Sequence, residues 1–141
     1  MSEKAPQLTI HIYWEDTDAG GVVYHANYVK FMERARSEFV KSLGVNQEKL
    51  RQNHLGMVVA KLEVAYKSPA MLDDTLTVTT HLTRLKHLSM EFRQVITRGE
   101  TLITDGTIRI GLVDLRTGRP VKFPEEIYNA FLPYLEELEA L

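Results

Sequence analysis

Three periods of hydrophobicity follow one another along the chain. In the segment TIHIYW, Ile10, Ile12 and Trp14 alternate with Thr9, His11 and Tyr13, the period of a half-buried strand. From Tyr28 the spacing lengthens. Tyr28, Phe31, Met32, Ala35, Phe39 and Leu43 recur every three or four residues, while Lys30, Glu33, Arg34, Ser37 and Lys41 occupy the other face. This predicts a helix of about four turns, stopped by Gly44. Burying each of its large apolar residues contributes roughly 1.5–3 kcal/mol, so the helix belongs in the core. Asn46 or Gly44 then leads into a short polar helical piece, NQEKLRQNH.

Beyond Gly56 the pattern is that of strands. MVVAKLEVAYKS is one, and Pro69 marks its end or an edge position. After the turn signal Asp73-Asp74, TLTVTTHLTRL sets Leu76, Val78 and Leu82 on one face. LSMEFRQVI alternates Leu88, Met90 and Phe92 against Ser89, Glu91 and Arg93. Arg98-Gly99-Glu100 predicts a hairpin turn, and TLITDGTIRIGLVDL a long final strand in which Gly106 and Gly111 permit bulges or bends. Pro124 opens a last helix, PEEIYNAFLPYLEEL, with two acids in the first turn, where the helix dipole favours them. Pro133 kinks or splits it. Helix and strand do not alternate, which argues against a doubly wound parallel sheet. The expected architecture is α+β: an antiparallel five-stranded sheet wrapped round one long core helix. It forms a single domain over residues 1–141, with the C-terminal helix from about residue 124.

Composition acts mainly by subtraction. The absence of cysteine excludes disulfides, thiolate nucleophiles and thiolate metal sites. A net charge of −2 gives no global attraction to nucleic acid or to an anionic membrane. No apolar run approaches the ~18 residues of a membrane span, and the first residues lack a secretion signal's apolar region, so a cytoplasmic protein is expected. His11, His25, His54, His81 and His87 show no metal-ligand spacing, and no metal is expected.

The chemistry concentrates in EDTDAGGVVYHANYVKFMERAR, residues 15–36. A calcium loop starting at Asp16 fails at its fifth position, Gly20, and at its twelfth, Asn27. A phosphate loop would need a Lys-Ser/Thr pair after the glycines, and none follows. Two readings remain. Acids and glycines make a good solvated turn. Alternatively, Asp18 at a strand end stands near the N–H groups that open the core helix, and a carboxylate beside such donors suits hydrolysis of an activated acyl group.

The pattern Asp16-x-Asp18-x-x-Gly21-x-Val23-Tyr24-x-x-Asn27-Tyr28, followed by Glu33-Arg34-Ala35-Arg36, closely resembles the signature of hotdog-fold acyl-CoA thioesterases related to 4-hydroxybenzoyl-CoA thioesterase. The fuller EDTDAGGVVYHANY is similar to their Tol-Pal-associated, YbgC-type branch. YKSPAMLDD, residues 66–74, is similar to the family's link into its third strand, and residues 9–131 fit the expected order. The resemblance implies hydrolysis of short- to medium-chain acyl-CoA to free acid and coenzyme A, with no cofactor, coenzyme A being part of the substrate. By the same resemblance Asp18 is the catalytic carboxylate, as nucleophile or as general base. The oxyanion donor is a backbone N–H at the start of the core helix, aligned at His25. The His25 side chain would contact the acyl group or help with proton transfer, although the 4-hydroxybenzoyl branch carries proline there.

Other residues take roles beside these. Asp16 is expected to organise the loop, Tyr24 to wall the substrate pocket or an interface, and Asn27 to cap the helix beside the substrate. Arg84, Lys86 and His87 form a basic link that holds the nucleotide end of coenzyme A or is an ordinary solvated hairpin. The resemblance also implies a homo-oligomer, dimer or tetramer, with active sites at subunit interfaces. The competing function is a non-catalytic binding or scaffold partner of acyl carrier protein or phospholipid-synthesis enzymes, using the same pocket. Its acidic C-terminal helix would be a docking surface, unless that helix packs on its own sheet.

Overall fold

The structure, a computed structural model, describes residues 5–136. Strand β1 (Gln7–His11) runs into a 3-10 turn over Trp14–Asp16, and the core helix α1 spans Asn27–Ser42. After the short α2 (Gln47–Gln52) come β2 (Leu55–Tyr66), β3 (Thr75–Leu85), β4 (Ser89–Arg98) and β5 (Thr101–Asp114). The two-residue β6 (Pro120–Val121) and α3 (Glu125–Phe131) complete the described chain, followed by a 3-10 turn over Leu132–Tyr134. The strands form one antiparallel sheet in the order β1-β3-β4-β5-β2, with β6 paired to β5. This is the expected α+β arrangement with six strands instead of five, because β6 is too short to show a period.

The apolar stripe of α1 sits where its spacing put it. Tyr28, Phe31, Met32, Ala35 and Phe39 are buried, and Gly44 leaves the helix at φ +81°, a conformation that favours glycine. Helix and sheet are also joined by a buried amide. Gln94 of β4 donates from Nε2 to the Met32 carbonyl (2.8 Å) and to Thr80 Oγ1 (3.0 Å), and its Oε1 accepts from Arg36 (2.9 Å). Gly106 serves the same packing: a Cβ there would lie 2.8 Å from Met32 Cε. The register shifts of the sheet fall elsewhere, between Val59 and Lys61, Leu82 and Arg84, and Ile96 and Thr97. So the bulges lie away from both glycines: Gly106 admits the close approach of Met32, and at Gly111 a Cβ would meet only the Leu88 carbonyl at an ordinary 3.6 Å.

Two apolar positions depart from the expected alternation. Trp14 is 82% exposed because β1 ends at His11 and the 3-10 turn carries Trp14 out of the sheet. Leu88 is exposed because β4 begins only at Ser89. At the other end, α3 stops at Phe131 and Pro133 lies in a 3-10 turn, while the remainder of the expected helix beyond Glu136 lies outside the described residues. This segment packs on its own sheet. Ile127 and Phe131 are buried, and the Phe131 ring lies 5.5 Å from Phe39 and 6.3 Å from Phe92.

Phe131→Ala should therefore cost about 3–5 kcal/mol of stability, the loss expected for an aromatic core truncation. Urea denaturation measures it, and a change under about 1 kcal/mol would show α3 to be an appendage and not part of the core.

Candidate active site

Residues 16–24 form a small hairpin. The Asp18 N–H donates to the Val22 carbonyl (2.9 Å), the Tyr24 N–H donates to the Asp16 carbonyl (3.0 Å), and Thr17 lies opposite Val23. Ala19, Gly20 and Gly21 make the tip, where Gly21 adopts φ +83°. The hairpin is anchored to the link before β3: Val22 bridges Met71, and the Val23 N–H donates to the Ala70 carbonyl (2.8 Å). Asp16 organises it. Its Oδ2 accepts the Tyr13 N–H (2.9 Å), and its carbonyl accepts a second bond from Asn27 Nδ2 (2.9 Å).

That last bond corrects the expectation for Asn27. The N-cap of α1 is Ala26, already helical at φ −71° and ψ −20°, and Asn27 is the first residue of the helix. The chain enters α1 from a turn, so Asn27 ties the helix back to the hairpin instead of capping it.

At the mouth of α1, no acceptor among the described residues takes the His25 N–H. Asp18 is exposed, its Oδ1 accepts the Gly20 N–H (2.8 Å), and Oδ2 has no protein donor among the described residues. The His25 carbonyl is held by the Tyr66 hydroxyl (3.1 Å), and the two rings meet edge to face at 6.2 Å. Tyr24 tilts over the other side of the imidazole at 4.6 Å. Tyr28 accepts the Ala70 N–H (3.1 Å). Its burial raises the hydroxyl pKa above the usual range, with that hydrogen bond pulling the other way. Beside His25 lies an open groove of about 290 Å³, lined also by Val23, Tyr28, Tyr66 and Ser68; Asp18 is not among its lining residues. Tyr66 was missed by single-residue reasoning. It sits in YKSPAMLDD, and only the pairing of β2 with β5 shows it reaching back to the helix mouth.

The basic link is elsewhere. Arg84 and Lys86 are exposed, while His87 stacks on Tyr128 at 4.9 Å and its carbonyl accepts the Phe123 N–H (2.8 Å). The Asp18 hairpin adjoins the start of β3 and Arg84 lies near its end, about 30 Å away at the rise of a strand. One chain thus sets Tyr24 against His25, ties Asn27 to the hairpin that carries Asp18, and leaves the three basic residues apart. Among the described residues, no group of three or more His, Asp or Glu side chains could hold a metal ion, and no helix is long and apolar enough to cross a membrane.

A family model described as the thioesterase-like superfamily matches residues 12–131. The chain belongs to that superfamily. Its antiparallel sheet round a core helix is the hotdog fold of these thioesterases, and thioester hydrolysis is its reaction class. Among relatives, the acyl-CoA thioesterase YbgC of Haemophilus influenzae is 41% identical over 132 residues, covering 93% of this chain and 97% of the relative. The acyl-CoA thioester hydrolase YbgC of Escherichia coli is 40% identical over 123 residues, covering 86% and 92%. A solved structure of a probable thioesterase from Bartonella henselae superposes with a TM-score of 0.80 at 34% identity, over 85% of this chain and 99% of that one.

Proposed function

We propose that this thioesterase hydrolyses short- to medium-chain acyl-CoA at the mouth of α1, with Asp18 as the catalytic carboxylate. One observation carries the reading: a carboxylate oxygen with no protein donor stands in a hairpin bonded to a helix start whose His25 N–H has no acceptor among the described residues. The relatives named for acyl-CoA hydrolysis support the substrate class.

The chemistry follows from that pairing. Asp18 either attacks the thioester carbonyl, giving a mixed anhydride that water then opens, or takes the proton from an attacking water. On both routes the carbonyl oxygen becomes an oxyanion that accepts the His25 N–H, and the carbon–sulfur bond breaks to release coenzyme A. The imidazole of His25 and the exposed Tyr24 ring wall the approach, and Asn27 acts on substrate through the hairpin it fixes. Tyr66 is a positioning residue, because its hydroxyl fixes the His25 peptide.

A second copy of the chain completes the reading. β2 is an edge strand with Val58, Val59, Leu62 and Tyr66 exposed, an unpaired edge that invites antiparallel pairing with another β2. Arg84, Lys86 and His87 would then serve coenzyme A phosphates at a neighbour's site, since their own Asp18 is too far. The burial of Ile127 and Phe131 favours the enzymatic reading over the scaffold alternative, which needs that face of α3 free for docking.

Asp18→Asn should retain fold and oligomer and lose about a hundredfold or more in kcat on acyl-CoA. Thiol release measures it, and near wild-type turnover contradicts the assignment. Light scattering at micromolar concentration should give a dimer or tetramer; a monomer there counts against the shared-edge assembly.

A further inference from the structure

His25 lies in the turn that enters α1, and one face of the helix then runs through Val29, Glu33 and Arg36. Spacings of four and three residues keep these on one side of the helix. Along that side lies a cavity of about 240 Å³ between α1 and the sheet, walled by Val29, Val40, Met57, Met90, Phe92 and Ile110. Ser37 and Gln47 add polar groups to the wall, and into this space the helix places a guanidinium. Arg36 is only 9% exposed, yet among the described residues no carboxylate lies within ion-pair distance of it. One Nη1–H donates to Gln94 Oε1 (2.9 Å), and that oxygen is held in place because Gln94 Nε2 is committed to Met32 and Thr80. The other guanidinium donors have no protein acceptor among the described residues and are not sealed from solvent, since the cavity they line is open. Burial lowers the Arg36 pKa, with the nearby Glu33 opposing. Glu33 is the one acid on the cavity wall, and it is exposed, so water screens its charge.

A largely buried guanidinium with spare donors and no ion-pair partner within reach is a ready anion site, and its planar fork matches a carboxylate with two parallel hydrogen bonds. We propose that this cavity receives the distal end of the acyl group, and that Arg36 selects chains ending in a carboxylate, the dicarboxylic acyl thioesters, over plain alkyl chains. This rests on the reading that the thioester is cleaved at the mouth of α1. Arg36 follows His25 by eleven residues, about 16 Å along the helix axis. Helical side chains lean towards the N-terminus, which shortens that gap to one a medium-length chain spans. Met57 and Met90 give the walls the adaptability a flexible chain needs.

The test compares octanoyl-CoA with suberoyl-CoA, equal in length and differing in the terminal carboxylate, in wild type, Arg36→Met and Asp18→Asn. Wild type should favour suberoyl-CoA in kcat/KM by at least about tenfold. Arg36→Met should lose that preference by a similar factor while keeping octanoyl turnover. Free suberate, and not octanoate, should raise the melting temperature of wild type. Should Arg36→Met fail to fold, Arg36→Lys keeps the charge and gives up the fork, and the wild-type ratio still decides.

Equal or faster turnover of octanoyl-CoA by wild type, or an equal loss on both substrates in the variant, overturns the proposal. If octanoyl turnover still depends on Asp18, that result leaves the hydrolytic site standing. If no thioester is cleaved, the hydrolytic reading falls, and Arg36 is judged by suberate alone: protection of wild type sustains the assignment, and no shift overturns it.

Discussion

The carbonyl of Asp16 is the joint on which the site turns. It accepts two hydrogen bonds from different parts of the chain, the Tyr24 N–H that closes the hairpin and the Asn27 side chain that opens α1. With both bonds made, the hairpin that carries Asp18 is tied to the start of the helix that follows His25, the arrangement the proposed chemistry needs. A pre-organised acid and oxyanion donor cost no rearrangement when charge develops, and misplacement by even an ångström is expensive in rate. At the hairpin tip Gly21 leaves open space around its Cα, while a Cβ at Gly20 would lie 3.2 Å from Asp18 Oδ1, so Gly20 keeps room for that carboxylate.

That arrangement is only as fixed as the helix behind it. Aromatic packing under Phe39 and the Gln94 amide hold α1 against the sheet, and α3 closes the far end of the same core. The helix therefore has two functions. The turn before it leaves the His25 N–H without an acceptor among the described residues, and about three turns later it lines a cavity with Arg36. The exposed edge of β2 borders that same cavity through Met57 and Val59, so assembly and substrate space are contiguous in this fold.

Much of this was legible in the chain. The phase of α1, the Gly44 stop, the Asn46 cap of α2 and the Asp73-Asp74 turn each follow from local chemistry, and each is present. The Asp18 stretch was legible as a pattern because its residues lie close in sequence. What stayed hidden depends on distant partners. Arg36 falls beside the apolar stripe and is buried only because Gln94, 58 residues away, receives it. Asn27 has the composition of a cap, but the turn before it is already helical. Tyr66 reaches the site through strand pairing, and the distance from Asp18 to Arg84 is set by the length of β3, which residue types alone do not reveal.

The most direct test of the helix mouth as an oxyanion site is the amide proton of His25. In a nitrogen-15-labelled sample, titration with an acyl-CoA analogue whose thioester is replaced by a trifluoromethyl ketone should move that resonance strongly downfield as the tetrahedral oxyanion accepts its N–H. An unmoved His25 resonance, in a sample where binding shifts other amides of α1, would contradict the account.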